Sequence, residues 1–527
     1  MRILIKNGTI VDGTGKNAFK AQLLIENDVI KDISENIEGE FDIQLDASRM
    51  HVCPGFIDTH SHSDLHILED GFIRPKIFQG ITTEILGQDG ISLAPLPEEY
   101  IDDWKKNLSG LAGYNDEISW DFKTAKIYFD RLKKARKGFN VAYLAPHGNI
   151  RMEAMGLGNK IADDNDLAKM KDILKRELEA GCVGLSTGLI YIPCAYADTK
   201  ELIELNKVVA KYDKVFVVHQ RSEADFLVSS IEEVLEIARK SGVRVHFSHF
   251  KICGMNNWGK MGKVMEMLDK AHNEGIRISF DQYPYLAGST MLSAVIPPWV
   301  HEGGTGKLVE RLKDDEIRKK IIRDINTGIS GWDNFLRFCG FDGIFITDVK
   351  TKANKSFVGK NIAQISLEHK KNPFHVIFDL LVEEENSVGM VDFYGTQSNI
   401  EDFMRSKYQN VCTDGLLGGT PHPRVYGAFP KFLGDFVRDK GILSIEEGIR
   451  KMTKKGADVF GIKDRGVLKV GNKADIVVFD YDTICANSTY TNPCELPWGI
   501  EYVLVNGKIV LEEGKLRRKA AGKVVKL

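Results

Sequence analysis

Residues 54–62 are Pro-Gly-Phe-Ile-Asp-Thr-His-Ser-His, a short apolar run that ends in two histidines. The run from Pro54 to His60 is a candidate buried strand. Because successive side chains of a strand point to opposite faces, His60 and His62 lie on one face and can reach a single metal ion. Two surface histidines after a strand are the competing interpretation, since a pair of ligands is only half of a closed site.

Similar apolar runs recur through the middle of the chain, where they alternate with helical patterns. This alternation is typical of repeated βα units and a parallel sheet, which can be a closed barrel or an open sheet. Eight candidate strands are present, the number that a closed (β/α)8 barrel needs. They are Pro54 to His60, Ile81 to Gly87, Val141 to Pro146, Val183 to Thr187, Val215 to His219, Val245 to His249, Ile278 to Gln282 and Val411 to Asp414.

Both ends of the chain are rich in β-patterns instead. Short β-runs such as Ile3 to Ile5 and Gln22 to Ile25 are broken by Asn-Gly and Asp-Gly turn signals, and the chain closes with the runs Ala474 to Asp480 and Tyr502 to Val510.

One interval inside the chain interrupts the alternation of strands and helices. From Gly288 to about Phe345, a charged helical stretch lies where the last crossover should be short, so we predict an insertion near the barrel mouth.

Charge and composition narrow the classes of function. Lys and Arg (71) nearly balance Asp and Glu (74), and the net charge of -3 provides no field that would attract nucleic acid or an anionic membrane. A small-molecule substrate is therefore expected, and the oligomeric state is not indicated. No secretory signal or membrane-spanning run is recognised, which predicts a cytoplasmic protein. The eight cysteines have irregular spacings that fit neither a disulfide framework nor a CxxC metal clip.

Two further histidines end apolar runs of predicted strands. His219 follows Val215 to Val218, and His249 closes the run that begins at Val245. A buried neutral imidazole needs a partner, and a metal ion provides one, although a single histidine of this kind is more often satisfied within the core. His246 lies at an odd offset from His249, so it should face the other way and is interpreted as structural.

Asp414 places a carboxylate at the mouth of the last candidate strand. Polar side chains at the carboxyl ends of barrel strands build active sites in this architecture. A hydrolase that activates water at a metal needs a base to take a proton from that water and return it to the leaving amine. Without a metal site, Asp414 and Gly415 would be interpreted as a turn-forming pair.

Several segments together resemble the amidohydrolase superfamily, and specifically the N-acyl-D-amino-acid deacylase (D-aminoacylase) family, over essentially the whole chain. The stretch from Gly466 to Val478 resembles the superfamily more broadly. The segments that carry the closer resemblance are Pro54 to His62, Gly80 to Thr83, Ser186 to Tyr191, His219 to Glu223, Ser248 to Lys251 and Pro421 to Arg424.

The resemblance implies a metal-dependent (β/α)8 TIM-like barrel over residues 55–464, with an insertion at about 288–345, and a small β-sandwich formed by residues 1–54 and 465–527. It implies metal ligands at His60, His62, His219 and His249 and a catalytic carboxylate at Asp414. The chain departs from the family at Asp89, where similar proteins have a cysteine ligand. A carboxylate can still bind or bridge metal ions, so Asp89 is included among the expected ligands of one or two divalent ions, zinc foremost.

Five residues resemble the family's contacts with the substrate carboxylate, for which cationic side chains are suited. They are Tyr191, Lys251, Tyr283, Ser289 and Arg424. No lysine ends the fourth predicted strand, where many relatives carry a carbamylated one, and this argues against the hydantoinase and dihydroorotase branches.

The predicted function is metal-dependent hydrolysis of N-acyl-D-amino acids to a carboxylate and a D-amino acid. Two alternatives stay open. One is hydrolysis of a cyclic amide or a dipeptide, and the other is a non-catalytic scaffold on the same fold.

Overall fold

Eight parallel strands form a barrel in the computed structural model, which describes residues 1–113, 115 and 117–526. The strands follow the order of the chain, and all of their side chains are buried except at a few terminal positions. Their bounds are Phe56–Asp58, Ile81–Leu86, Asn140–Tyr143 continued by Ala145–Pro146, Gly184–Gly188, Val215–His219, Arg244–Phe247, Ile278–Gln282 and Gln409–Val411.

Two connections complete the barrel. The third strand is shared between two sheets, since Tyr143 pairs with Leu86 on one side and Ala145 pairs with Leu185 on the other. The first and eighth strands meet through a parallel bridge between Ser61 and Gly415, and the Asp414 amide donates a hydrogen bond of 2.8 Å to the carbonyl oxygen of His60. The predicted eight-stranded barrel is therefore confirmed, and His60, His62 and Asp414 come together where it closes.

Helices cover the outside of the barrel, and most of them are amphipathic with a buried apolar face. Several begin at an Asp or Thr whose side chain accepts a hydrogen bond from the first turn, as Asp163 does in a full capping box. Among the described residues, no helix combines the length and apolar character needed to cross a membrane; the cytoplasmic location stays a prediction. The main barrel helices are Ile101–Ala112, Ala125–Lys134, His147–Met155, Asp164–Ala180, Thr199–Lys211, Leu227–Ser241, Met261–Asn273, Gln397–Arg405, Arg424–Lys431, Ile445–Met452 and Lys454–Phe460.

The two ends of the chain pack together as a β-sandwich, as predicted. Its core is made of alternating inward side chains such as Ile3, Ile25, Val52 and Val478. One sheet has the order Val29–Ser34, Gln22–Glu26, Arg2–Lys6, Ile43–Asp46, and the other has the order Lys515–Leu516, Lys508–Glu512, Ile500–Val505, Ile476–Phe479, His51–Pro54, Thr9–Ile10, Phe19–Lys20.

A separate unit lies between the seventh and eighth barrel strands, and we call residues 287–393 the mouth segment. Its three antiparallel strands have the order Ala287–Met291, Val388–Phe393, Ile344–Val349, and it has an apolar core of its own. The charged stretch Leu308 to Ile325 forms two helices, because Asp314 caps a second one. The predicted domain and insertion limits stay predictions. The helices of the segment are Thr305–Arg311, Asp315–Thr327, Phe335–Cys339, Ile362–His369 and Pro373–Glu383.

Candidate metal centre

The carboxyl ends of the barrel strands converge on one buried pocket, and three of its polar residues have an unusual backbone. Asp89, His249 and Asp414 lie in the left-handed region, with φ of 56°, 35° and 47°. Such conformations cost energy for residues other than glycine and cluster at functional sites. Each of the three lies two or three residues past the end of a barrel strand, and all three line the pocket.

The first ligand group is formed by His60, His62 and Asp414. The Nε2 atoms of the two histidines are 3.3 Å apart. One oxygen of Asp414, Oδ1, lies 3.6 Å from Nε2 of His60 and 3.3 Å from Nε2 of His62. All three side chains are buried, and their ligand atoms are close enough to hold one ion.

Asp89 stands between this group and the second pair of histidines. Its Oδ2 lies 3.6 Å from His60 Nε2 and 3.5 Å from His62 Nε2, while its Oδ1 lies 3.6 Å from His249 Nε2 and 3.9 Å from His219 Nδ1. One carboxylate oxygen therefore faces each histidine pair. This is the arrangement of a carboxylate that can bridge two metal positions.

Unsatisfied buried atoms test whether this donor set fits a metal. Oδ1 of Asp89 and both ring nitrogens of His219 are buried without a hydrogen-bond partner among the described residues. Buried polar atoms are otherwise almost always paired. Burial also lowers the pKa of His219 to about 3, so that its ring stays in the neutral form that binds metal. Imidazole nitrogens with carboxylate oxygens suit zinc and similar divalent ions, and the residues therefore fit the expected group.

Glu223 belongs to this centre, although the sequence did not single it out. Its Oε1 lies 3.3 Å from His249 Nδ1, and its Oε2 lies 3.6 Å from His219 Nε2. A proton held on Nδ1 of His249 leaves Nε2 with a free lone pair for a metal. Glu223 is four residues past His219 and beyond the strand, so strand periodicity gave no signal for it; the only sequence signal is its position in the segment His219 to Glu223 that resembles the family.

Four of the five predicted substrate contacts line the same pocket. Lys251 already has a partner, since its Nζ lies 2.7 Å from Glu223 Oε2 and 2.8 Å from His249 Nδ1. The Tyr191 hydroxyl lies 2.7 Å from the Thr290 hydroxyl. Tyr283 and Ser289 complete this group of four.

Arg424, the fifth predicted contact, lies outside the pocket lining. It is fully buried, its Nη1 is 2.9 Å from Asp414 Oδ2, and its guanidinium stacks 4.4 Å from the centre of the Tyr283 ring. Burial alone would raise the pKa of Asp414, but the opposing charge of Arg424 and the neighbouring imidazoles hold that pKa well below its usual range. Its contact with substrate stays a prediction, and its contact in this structure is with Asp414.

A buried network of charged side chains contacts the residues that precede His60 and Asp414 in the chain. Lys76, on the short helix Arg74–Ile77, has its Nζ 2.8 Å from Asp58 Oδ2 and 2.9 Å from Glu84 Oε1, and it donates a hydrogen bond of 2.7 Å to the Thr413 hydroxyl. The network thus ties the residues before His60 and Asp414 together. His246 is not among the residues that line the pocket, and it lies within hydrogen-bond distance of Asp281 and Ser279, 2.8 Å in each case.

The mouth segment supplies the far wall of the pocket, which we define as Ser289, Thr290, Asp333, Phe335, Phe338 and Asp392. Asp333 accepts hydrogen bonds of 2.5 Å from the Ser222 hydroxyl and 2.6 Å from the Glu223 amide. Burial raises the pKa of both Asp333 and Asp392 to about 7. The pocket therefore has a ligand-bearing wall, built by the barrel, and a far wall with its own carboxylates.

Comparison with known proteins agrees with this geometry. The profile of the amidohydrolase family matches residues 45–289 and 410–511. The chain is 32% identical to an N-acyl-D-glutamate deacylase of Alcaligenes xylosoxydans xylosoxydans, over 97% of this chain and 94% of that protein. It is 29% identical to a D-aminoacylase of the same organism, over 99% of this chain and 97% of that protein. A crystal structure of N-acyl-D-glutamate deacylase from Bordetella bronchiseptica, complexed with zinc and a phosphonate mimic of the tetrahedral intermediate, is similar with a TM-score of 0.85 and 31% identity, covering 100% of this chain and 99% of that one.

Proposed function

The chain belongs to the amidohydrolase family, and we propose that it is a metal-dependent deacylase of N-acyl-D-amino acids. It hydrolyses the linear amide bond to a carboxylate and a D-amino acid. The observation that carries this proposal is the convergence of two histidine pairs on opposite oxygens of Asp89, beside Asp414, in one buried pocket. The names of the relatives supply the substrate class and its stereochemistry.

The metal ligands in this proposal are His60, His62, Asp89, His219 and His249, which hold one or two divalent ions, zinc foremost. An ion held there supplies Lewis acidity towards the acyl carbonyl and the attacking water. The role of the protein is to keep the imidazoles neutral and correctly oriented. Glu223 beside His249 supports that role.

Asp414 moves the proton in this mechanism. Its Oδ1 faces His60 and His62, while Oδ2 lies against Arg424. A carboxylate in that position takes a proton from the attacking water and delivers it to the amine that leaves. Arg424 keeps Asp414 ionised and fixes its orientation before the reaction starts, because the charge of the guanidinium favours the carboxylate form.

The substrate α-carboxylate is bound on the side of the pocket that holds Lys251 and the tyrosines. Lys251 provides the cation, and Tyr191, Tyr283 and Ser289 provide hydroxyl groups. The substrate carboxylate is then fixed on one side of the pocket, and the acyl carbonyl is fixed at the metal ligands. Only one direction remains for the side chain on the Cα atom, so one enantiomer is preferred.

Cyclic-amide hydrolysis is the other enzymatic candidate, and no observation favours it. The fourth strand, Gly184–Gly188, has no lysine that could be carbamylated. A non-catalytic scaffold would not need the buried donor set, because uncompensated polar atoms such as those of Asp89 and His219 destabilise a fold.

Metal analysis combined with a substrate panel tests the proposal. The purified protein should contain bound divalent metal by elemental analysis. It should hydrolyse N-acetyl-D-methionine about a hundredfold faster than the L-enantiomer and leave hydantoins intact. A chelator should abolish the activity, and added zinc should restore it.

Two results would contradict the proposal. Turnover of hydantoins without turnover of N-acetyl-D-amino acids would assign the site to the cyclic-amide branch. A protein isolated without metal, and unresponsive to added divalent ions, would favour the scaffold. The L-enantiomer serves as the matched control for hydrolysis that does not depend on the chirality of the substrate.

A further inference from the structure

Asp392 is a buried carboxylate on the far wall of the pocket. It lies on the strand Val388–Phe393, directly opposite Gly288 of the strand Ala287–Met291, and it is 4% exposed. None of the described residues donates a hydrogen bond to it, although it lines the pocket that contains the metal ligands. Burying a carboxylate without a partner is costly, so the position indicates a partner that arrives with the ligand.

The backbone opposite Asp392 leaves room for this side chain. A Cβ atom on Gly288 would lie 2.9 Å from Oδ1 of Asp392, closer than such atoms approach. The absence of a side chain at position 288 therefore allows the carboxylate to lie across the neighbouring strand, towards the pocket. Ser289, a proposed contact of the substrate α-carboxylate, is the next residue on that strand.

The charges of the pocket do not suit a substrate with an acidic side chain. Lys251 is the only Lys or Arg among the described residues that line it, and Lys251 is already paired with Glu223. The substrate α-carboxylate uses that cation. A second carboxylate on the side chain would meet Asp392 and Asp333, while the two nearby cations, Lys251 and Arg424, are already paired with Glu223 and Asp414. Like charges at close range are strongly unfavourable.

The proposal that follows rests on the proposed function. We propose that Asp392 selects N-acyl-D-amino acids whose side chain ends in a cation, as in lysine or ornithine, and rejects those with an acidic side chain. Apolar side chains in the pocket, Ile190, Phe335 and Phe338, suit the methylene stem of such a substrate. The residues of the far wall from Thr290 onwards lie outside the part of the chain that the family profile matches. The substrate side chain can therefore differ from that of the glutamate-specific relative.

Three N-acetyl-D-amino acids with the metal-loaded protein test this selection. We expect kcat/KM for N-acetyl-D-lysine to exceed that for N-acetyl-D-methionine by about tenfold, and N-acetyl-D-glutamate to be the poorest of the three. Asp392→Asn should lower kcat/KM for the lysine substrate about tenfold or more while changing the methionine substrate by less than about threefold.

Asp348→Asn is the matched control, because Asp348 is an acid of the same sheet that is half exposed and paired with Lys355. It should leave all three rates unchanged. Faster hydrolysis of the glutamate than of the lysine substrate by the unaltered protein would overturn the proposal, and this comparison needs no variant to fold. An unchanged lysine-to-methionine ratio in Asp392→Asn would overturn it as well.

The panel also distinguishes this inference from the function on which it rests. If the metal-loaded protein hydrolyses none of the three substrates, the proposed function fails and the selection fails with it. If it hydrolyses N-acetyl-D-methionine without any preference for lysine, only the role of Asp392 is wrong.

Discussion

The two walls of the pocket differ in how they are built. The ligand-bearing wall consists of residues at the ends of barrel strands, His60, His62, Asp89, His219, His249 and Asp414, all within the part of the chain that the family profile matches. The far wall comes from the mouth segment, of which that profile matches only residues 287–289. The difference indicates that the barrel determines the reaction and that the mouth segment determines which side chain is accepted.

The walls also differ in how their charges are balanced. Asp414 is paired with Arg424, and Glu223 is paired with Lys251. Asp392 accepts no hydrogen bond from the described residues, and burial raises its pKa to about 7. A change in the ligand-bearing wall should therefore affect every substrate alike. A change in the far wall should affect substrates selectively.

The largest effect should come from Asp414. Asp414→Asn removes the carboxylate that we propose moves the proton, while keeping the size of the side chain. We expect kcat to fall about a thousandfold, by a similar factor for every N-acyl-D-amino acid tested. Steady-state kinetics with at least two substrates, together with elemental analysis of the variant, measures this. Loss of activity that differs widely between substrates, or a variant that retains most of its activity, would contradict the assignment.

Asp89 should have the next largest effect, through metal binding. Asp89→Ala removes the carboxylate that faces both histidine pairs, and we expect metal affinity to weaken by about 10- to 100-fold, with activity falling in parallel. Asp89→Cys introduces the cysteine that the family resemblance predicts at this position, and it should recover zinc binding because thiolate is a good zinc ligand. Competition with a chromogenic chelator measures the affinity. Full metal content and full activity in Asp89→Ala would show that Asp89 is not a ligand.

The barrel and most of the ligand-bearing wall could be predicted from the sequence. Apolar runs of strand length mark the eight strands, and His219, His249 and Asp414 follow such runs directly, so strand direction alone brings them to one end of the barrel. Asp89 was predicted as a ligand only through the family resemblance, because it lies in a left-handed turn that no periodic pattern describes.

The roles of three other residues could not be predicted from the sequence, because these roles depend on contacts between distant parts of the chain. Lys76 lies on a helix of four residues, and its importance depends on Asp58 and Thr413 lying next to it in the folded barrel. Asp392 is part of the strand Val388–Phe393, and only the pairing of that strand with Ala287–Met291 directs it to the pocket. Arg424 has the charge of a substrate contact but is buried against Asp414. From charge and spacing alone, a contact of Arg424 with the substrate could not be distinguished from a contact with Asp414.

The smallest expected effect concerns stability and separates the two walls without any substrate. The pKa of Asp392 is raised from 3.8 to about 7 in the folded protein, so folding favours its protonated form. The contribution of protonated Asp392 to the free energy of unfolding is fully present below pH 3.8. It is lost as the pH rises towards 7, because Asp392 ionises at a lower pH in the unfolded chain than in the folded protein. Asp392→Asn should therefore raise the free energy of unfolding at pH 8 by roughly 1 kcal/mol, less than the full shift implies because the buried amide also lacks a partner.

Thermal unfolding of the metal-free protein at pH 8 and at pH 4 checks this, because histidine ligands would release their metal at pH 4. The variant should unfold at a higher temperature than the unaltered protein at pH 8, and the difference should nearly vanish at pH 4. Asp414→Asn should behave in the opposite way at pH 8 and destabilise the protein, because it leaves Arg424 buried without its anion. If both substitutions destabilise the protein at pH 8, the far wall is held together by its charges in the same way as the ligand-bearing wall, and Asp392 is structural rather than selective.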